Sequence, residues 1–243
     1  MSNAQRSTLP YNFIAIEGNI GAGKTTFCEM LSRDFNCRLI LEQFTDNPFL
    51  PLFYEQPERY AFPVELFFMT ERHKQLQTAF SSGADLFTPL SIADYFFLKT
   101  LLFAKNNLNE AEFRLFQRLF EVLNSTFPKP DILVYLHRSV GDVMKNIRKR
   151  GRNFETEISA EYLAGIQNVY FEYFRTETEL PILIVEVEGI DYLKDEAAYQ
   201  KLVTLLHDKY ENGVHRLSIK DWWFLMPSLA FQEKIVWNGR KKC

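Results

Sequence analysis

Gly18, Gly23, Lys24 and Thr25 lie in the stretch IEGNIGAGKTT, residues 16–26, and satisfy the spacing G-x-x-x-x-G-K-[ST]. Glycines here give up side chains so that successive backbone N–H groups can turn inward around an anion. A strand-like run, NFIAI at 12–16, precedes the motif, and a helical pattern over 25–35 follows it. In that context Gly18, Asn19, Ile20, Gly21, Ala22, Gly23, Lys24, Thr25 and Thr26 are expected to bind the phosphates of a nucleoside triphosphate. Lys24 would reach the outer phosphates, and the Thr25 hydroxyl would ligate Mg²⁺. No late N-K-x-D stretch for reading guanine is present, so ATP is the expected donor.

A kinase for a small acceptor also needs a base, an acidic metal partner and a movable set of cations. The cations are visible in RKRGRNFE, residues 148–155, where Arg148, Lys149, Arg150 and Arg152 crowd against Glu155. A basic helix end can simply be solvated and favour the helix dipole. This cluster, however, joins two helical segments of a phosphate-loop protein, which is where a lid would sit. Planar guanidinium groups suit the spread charge of a transferring phosphoryl group.

These residues need a scaffold, and the chain alternates short apolar runs with helical spacing. The runs are 12–16, 38–43, 86–94, 132–136 and 181–187; helical patterns fall at 25–35, 63–80, 108–126, 140–149 and 159–179. The expectation is an α/β, P-loop three-layer sandwich with a parallel sheet of about five strands and a helical lid between two helices. The 243 residues, 47% apolar and 24% charged, fit one large domain with a full core. A net charge of −3 argues against a nucleic-acid coat. Cys28, Cys37 and Cys243 form no CxxC or Cys/His pattern, and MSNAQRSTLP lacks the apolar core of a signal peptide. The reading is a soluble cytoplasmic protein with no membrane span.

After about residue 211 the α/β rhythm stops, so the expected organisation is a kinase-like domain over 1–211 and an extension over 212–243. The extension carries net charge +4 and the cluster Trp222, Trp223, Phe224, Leu225 and Met226. Docking on the domain or on a second protomer is the plainer account, and a membrane-surface or protein partner is the alternative.

Five segments in order resemble the deoxynucleoside kinases, the family of deoxyadenosine, deoxyguanosine and deoxycytidine kinases with a thymidylate-kinase-like fold. They are GNIGAGKTT, LEQFTDNPFL, LFYEQPERYAF, ELFFMTERHKQL and RGRNFE, and the similarity spans about residues 11–192. The resemblance implies ATP-dependent phosphorylation of a deoxynucleoside 5′-hydroxyl, with Mg²⁺, in a homodimer. It implies Glu42 as the carboxylate that accepts the hydroxyl proton; a residue at the carboxyl end of that strand faces the crevice. It implies Tyr54 and Glu155 on the sugar 3′-hydroxyl, Arg150 and Arg152 as lid arginines, and Arg72 near the base. Glu65 falls where the family commonly has glutamine. An ionised carboxylate offers only acceptors and suits the two neighbouring donors of guanine, which makes deoxyguanosine the expected best acceptor.

One departure is visible. The family usually shows an acidic residue, then arginine, then serine after the third strand, whereas this chain reads SIADYFF. Asp94 can serve Mg²⁺, but Tyr95 replaces the arginine, and a lid arginine or Lys99 is expected to supply the charge. Dimerisation is expected through helices 63–80 and 108–126. The alternatives are a nucleoside monophosphate kinase of thymidylate type and a non-catalytic nucleotide sensor.

Overall fold

In the computed structural model, which describes residues 8–43, 47–81, 90–152, 155 and 157–220, six strands form one sheet. They are β1 Phe13–Glu17, β2 Cys37–Ile40, β3 Leu90–Ala93, β4 Ile132–His137, β5 Pro181–Glu186 and β6 Gly213–Ser218. The order is β2-β3-β1-β4-β5-β6, and every neighbouring pair is parallel. Parallel neighbours need crossover connections, and eight described helices supply them or pack around them. These are α1 Lys24–Asp34, α2 Leu50–Glu55, α3 Pro57–Ser81, α4 Lys99–Asn107, α5 Glu110–Asn124, α6 Val140–Arg150, α7 Ala160–Thr176 and α8 Glu196–Leu205.

Alternation along the central strands divides the core between the two faces of the sheet. Ile14, Ile16, Val134 and Leu136 pack with Phe27 and Leu31 of α1 and with Leu202 of α8. Leu133, Tyr135, Ile182 and Ile184 pack with Phe103 of α4 and with Ile166, Tyr170 and Phe174 of α7. Phe13 and Ala93 meet Met69 of α3 and Phe116 of α5. Helices on both sides of a parallel sheet make the three expected layers.

The parallel sheet has six strands, against the expected about five, and the sixth lies after residue 211. β6 pairs with β5 from Pro181↔Gly213 to Glu186↔Ser218, so residues 213–218 belong to the core sheet. It is an edge strand, partly exposed along its length, and therefore lacks the continuous apolar run of a buried parallel strand. The aromatic cluster at 222–226 lies outside the described residues.

Helix ends frame the lid. Ser139 caps α6 by accepting from the Asp142 N–H, and α6 ends at Gly151 with φ 68°. Ser159 caps α7 by accepting from the Tyr162 N–H. Pro63, the first residue of the expected 63–80 helix, sits inside α3, which begins at Pro57, where a missing N–H costs nothing. Among the described residues no helix is long and apolar enough to cross a membrane.

Candidate active site

β1 delivers the chain into the phosphate loop, and the loop's shape depends on glycine. Gly21 and Gly23 have φ of 78° and 94°, in the left-handed region. A Cβ on Gly21 would lie 2.9 Å from the Val143 carbonyl oxygen, and one on Gly23 would overlap the Tyr192 hydroxyl. α1 starts directly at Lys24, so its N-terminal dipole points into the loop. Lys24 Nζ donates to the Gly18 and Asn19 carbonyls at 3.0 Å each. Burial, reinforced by the charge of Lys99, lowers its pKa to about 8.

Three carboxylates and three cations then meet at the carboxyl ends of β1, β2 and β3. Asp94 accepts from the Thr25 hydroxyl at 2.6 Å with Oδ2 and from the Glu42 backbone N–H at 2.7 Å with Oδ1. One side chain therefore ties the phosphate loop to the segment after β2. Burial and the neighbouring Glu42 charge raise the Asp94 pKa. Glu42 is paired by Arg72, whose Nη2 lies 2.6 Å from Oε1, and by Lys99, whose Nζ lies 2.5 Å from Oε2. Burial alone would raise its pKa, but the two cations win and hold it well below the usual carboxylate range. Arg72 also donates to the Thr100 hydroxyl at 3.0 Å. The third carboxylate, Glu17, accepts from the Phe96 N–H and the Tyr170 hydroxyl. Burial raises its pKa against the pull of Lys99 and Lys24.

Most of the expected site residues converge on one cavity; Gly18, Asn19, Ala22, Gly23 and Thr26 do not line it. Ile20, Gly21, Lys24, Thr25, Glu42, Tyr54, Glu65, Arg72, Asp94, Arg150, Arg152 and Glu155 all line it. Phe53, Val64, Phe68 and Phe103 supply apolar wall, the mixture a flat heteroaromatic ligand needs. Glu65 is 1% exposed. Its Oε1 accepts from Asn107 Nδ2 at 2.6 Å, and its Oε2 has no partner among the described residues. Burial pushes its pKa up to about 7. Burial and the nearby Glu155 likewise raise the Tyr54 pKa, so the phenol stays neutral.

Both lid arginines turn onto Glu155. Arg150 Nη2 pairs with Oε1 and Arg150 Nε donates to Oε2 at 3.0 Å, while Arg152 Nη1 lies 3.3 Å from Oε1. Arg148 is exposed, as a solvated helix end would be. Tyr95 is fully buried and donates to Gln75 at 2.9 Å. Lys99, not a lid arginine, is the cation that reaches the ionic cluster around Glu42.

Sequence reasoning passed over Glu17 and Arg138. Arg138, 5% exposed, donates to the Ala22 and Ile190 carbonyls and pairs with Asp142 at 2.6 Å, bracing the loop from behind. It lies just past the carboxyl end of β4, where crevice residues concentrate, and that position was the available signal. With Asp142, Asn146 and Tyr192 it lines a second cavity that shares Gly21 and Arg150 with the first. The phosphate loop thus separates two cavities under one basic lid.

A phosphate loop between two cavities, with a buried carboxylate in one and a lid over both, defines a P-loop phosphotransferase acting on a small acceptor. The deoxynucleoside kinase family model matches residues 14–210, and the chain belongs to that family. It is 33% identical over 194 residues to a deoxyguanosine kinase of Bacillus subtilis (strain 168), covering 78% of this chain and 93% of that one. It is 29% identical over 212 residues to the deoxyadenosine/deoxycytidine kinase of the same organism, covering 82% and 96%. Among solved structures, deoxyadenosine kinase from M. mycoides with bound dCTP superposes with a TM-score of 0.64 at 25% identity, covering 79% of this chain and 99% of that one. The activity is ATP-dependent phosphorylation of a deoxynucleoside 5′-hydroxyl, and the monophosphate-kinase and sensor alternatives fall away.

Proposed function

We propose that the acceptor is a purine deoxynucleoside, deoxyguanosine before deoxyadenosine, and that the cavity lined by Glu42 and Glu65 takes it. The observation that carries this reading is Glu65: a buried carboxylate in the acceptor cavity with one oxygen unpaired. Guanine brings N1–H and a 2-amino group side by side, and both can donate to one carboxylate. Adenine and cytosine bring a ring-nitrogen lone pair against it, and an unpaired polar group in a closed site costs about 1–3 kcal/mol, or ~10–100-fold.

Glu42 accepts the 5′-hydroxyl proton, and Tyr54 and Glu155 hold the sugar 3′-hydroxyl. Lys24 and the loop N–H groups take the donor phosphates. The fit for Mg²⁺ rests on Thr25 Oγ1 and Asp94 Oδ2, two hard oxygen donors 2.6 Å apart. When bound, the ion neutralises developing phosphate charge. Lys99 supplies the charge that Tyr95 cannot. Leu115, Leu119 and Val122, exposed on α5 at helical spacing, support self-association through that helix.

Incubation with labelled ATP, Mg²⁺ and a panel of nucleosides and monophosphates tests the reading. Deoxyguanosine should become labelled fastest, and preferential labelling of monophosphates would overturn it. In Glu65→Gln the preference for deoxyguanosine should fall by ~10–100-fold in relative kcat/KM. An unchanged base ranking would mean that Glu65 does not read the base. Arg150→Ala and Arg152→Ala should each lower kcat more than nucleoside affinity, since their charge matters most as the phosphoryl group transfers. A change confined to thermal stability would make them a solvated helix end.

A further inference from the structure

α4 ends at Asn107, and the amide of that residue bonds one oxygen of Glu65. Asn107 Nδ2 donates to Glu65 Oε1 at 2.6 Å and to the Tyr162 hydroxyl at 3.2 Å. Its Oδ1 accepts from Asn106 Nδ2 at 2.9 Å. A flipped amide would set an oxygen against the carboxylate and lose the Asn106 bond, so the network selects one orientation. Oε1 is thereby held as an acceptor. Oε2, buried without a partner among the described residues, belongs to a side chain that lines the acceptor cavity. Such an atom is costly unless something in the cavity pairs with it.

We propose that Asn107 is a positioning residue for acceptor choice. By donating to Oε1 it confines any proton on the Glu65 carboxyl to Oε2, the oxygen that meets the base. Guanine is then favoured while Glu65 is ionised, and adenine gains when Glu65 is protonated. This rests on the reading of Glu65 as the base-recognising group. In the ionised form Oε2 and the second lone pair of Oε1 accept from guanine N1–H and its amino group. In the neutral form Oε2–H donates to adenine N1, while Oε1 accepts from the 6-amino group.

The surroundings put this change near neutrality. Burial raises the Glu65 pKa, and Glu42, from the segment after β2, adds to the rise. Arg72 of α3, with Lys99 and the Asn107 hydrogen bond of α4, opposes it, and the balance lies at about 7. Tyr54 of α2 and Tyr162 of α7 face the same region, and burial holds both phenols neutral. The carboxyl is therefore largely protonated below that pH and ionised above it.

The test is kcat/KM for deoxyguanosine and deoxyadenosine at saturating MgATP, measured on the full chain across the neutral range. The ratio cancels any titration common to both substrates. In the wild type the deoxyguanosine/deoxyadenosine ratio should rise ~10-fold or more from about pH 6 to about pH 8, following one ionisation. Asn107→Leu keeps the volume but removes the donor that favours the charged form. Its curve should move to higher pH, with the ratio at pH 7 down about threefold or more. Asn107→Ala should show the same displacement and serves if leucine is not accommodated. A variant curve that overlays the wild type, or an equal loss for both nucleosides at every pH, would overturn the positioning role. A flat wild-type ratio would overturn it as well. Glu65→Gln separates the two levels. A flat ratio there with an unmoved Asn107→Leu curve sinks the Asn107 role alone, whereas a wild-type curve in Glu65→Gln sinks the base reading itself.

Discussion

Glu42→Gln is expected to lower kcat by ~10²–10⁴-fold while nucleoside binding survives, because glutamine keeps the size and an acceptor oxygen but cannot take a proton. The geometry adds a second consequence. Arg72 and Lys99 are 3% and 5% exposed, and Glu42 is the carboxylate that both of them touch. Removing one partner of a buried ion pair costs about 3–5 kcal/mol, so the variant should also melt earlier. Turnover is therefore to be measured well below the variant's own Tm. The pH dependence follows from the sign of the shift. The cations hold the folded-state pKa below the ordinary 4.5, so the pairing stabilises the fold above that pH and its contribution is lost as pH falls towards the folded value. Glu42→Gln should lose that part of the acid sensitivity. A rise in KM alone, with kcat intact, would make Glu42 a residue that positions the acceptor and would put the base elsewhere.

Lys24→Ala is expected to cost at least ~10²-fold in turnover, the scale of losing one preorganised electrostatic contact. The fold should tolerate the change, because among the described residues Lys24 Nζ donates to carbonyls of its own loop, Gly18 and Asn19. A pH signature accompanies it. Burial and the charge of Lys99 lower the Lys24 pKa to about 8, so the free enzyme loses this cation as pH rises through that value. The wild-type kcat/KM for ATP should fall on the alkaline side near pH 8, and the alanine variant should lack that limb. Turnover near wild type in Lys24→Ala would remove this loop from the chemistry.

The phosphate loop could be recognised from residues 18–26 because its function resides in local backbone. Glycines at fixed spacing, a strand before and a helix after are all properties of neighbours in the chain. β1, β3, β4 and β5 were legible for a related reason: strands buried on both faces read as continuous apolar runs. β2, at the other edge, is only half-buried but keeps the run Leu39, Ile40 and Leu41. β6 was not legible, since an edge strand alternating between partial and full exposure carries no such run. α4 was missed for the opposite reason. Packed against α3, α5 and α7, it buries Lys99 and Thr100 along with Leu102 and Phe103, and so shows no single apolar stripe.

Tertiary structure alone decided how the charges are shared. Arg72 lies seven positions from Glu65 in α3, yet its guanidinium pairs with Glu42, thirty residues away. In sequence Lys99 is only one candidate, beside the lid arginines, for the charge missing at Tyr95; the fold buries it against Glu42. Asn107 carries no motif, and its hold on Glu65 exists only because α4 packs against α3. Residue types and spacing specify what a local backbone can bind. The protonation state and reach of a buried side chain depend on desolvation and on partners from distant segments, and those become defined only when the sheet brings its strand ends together.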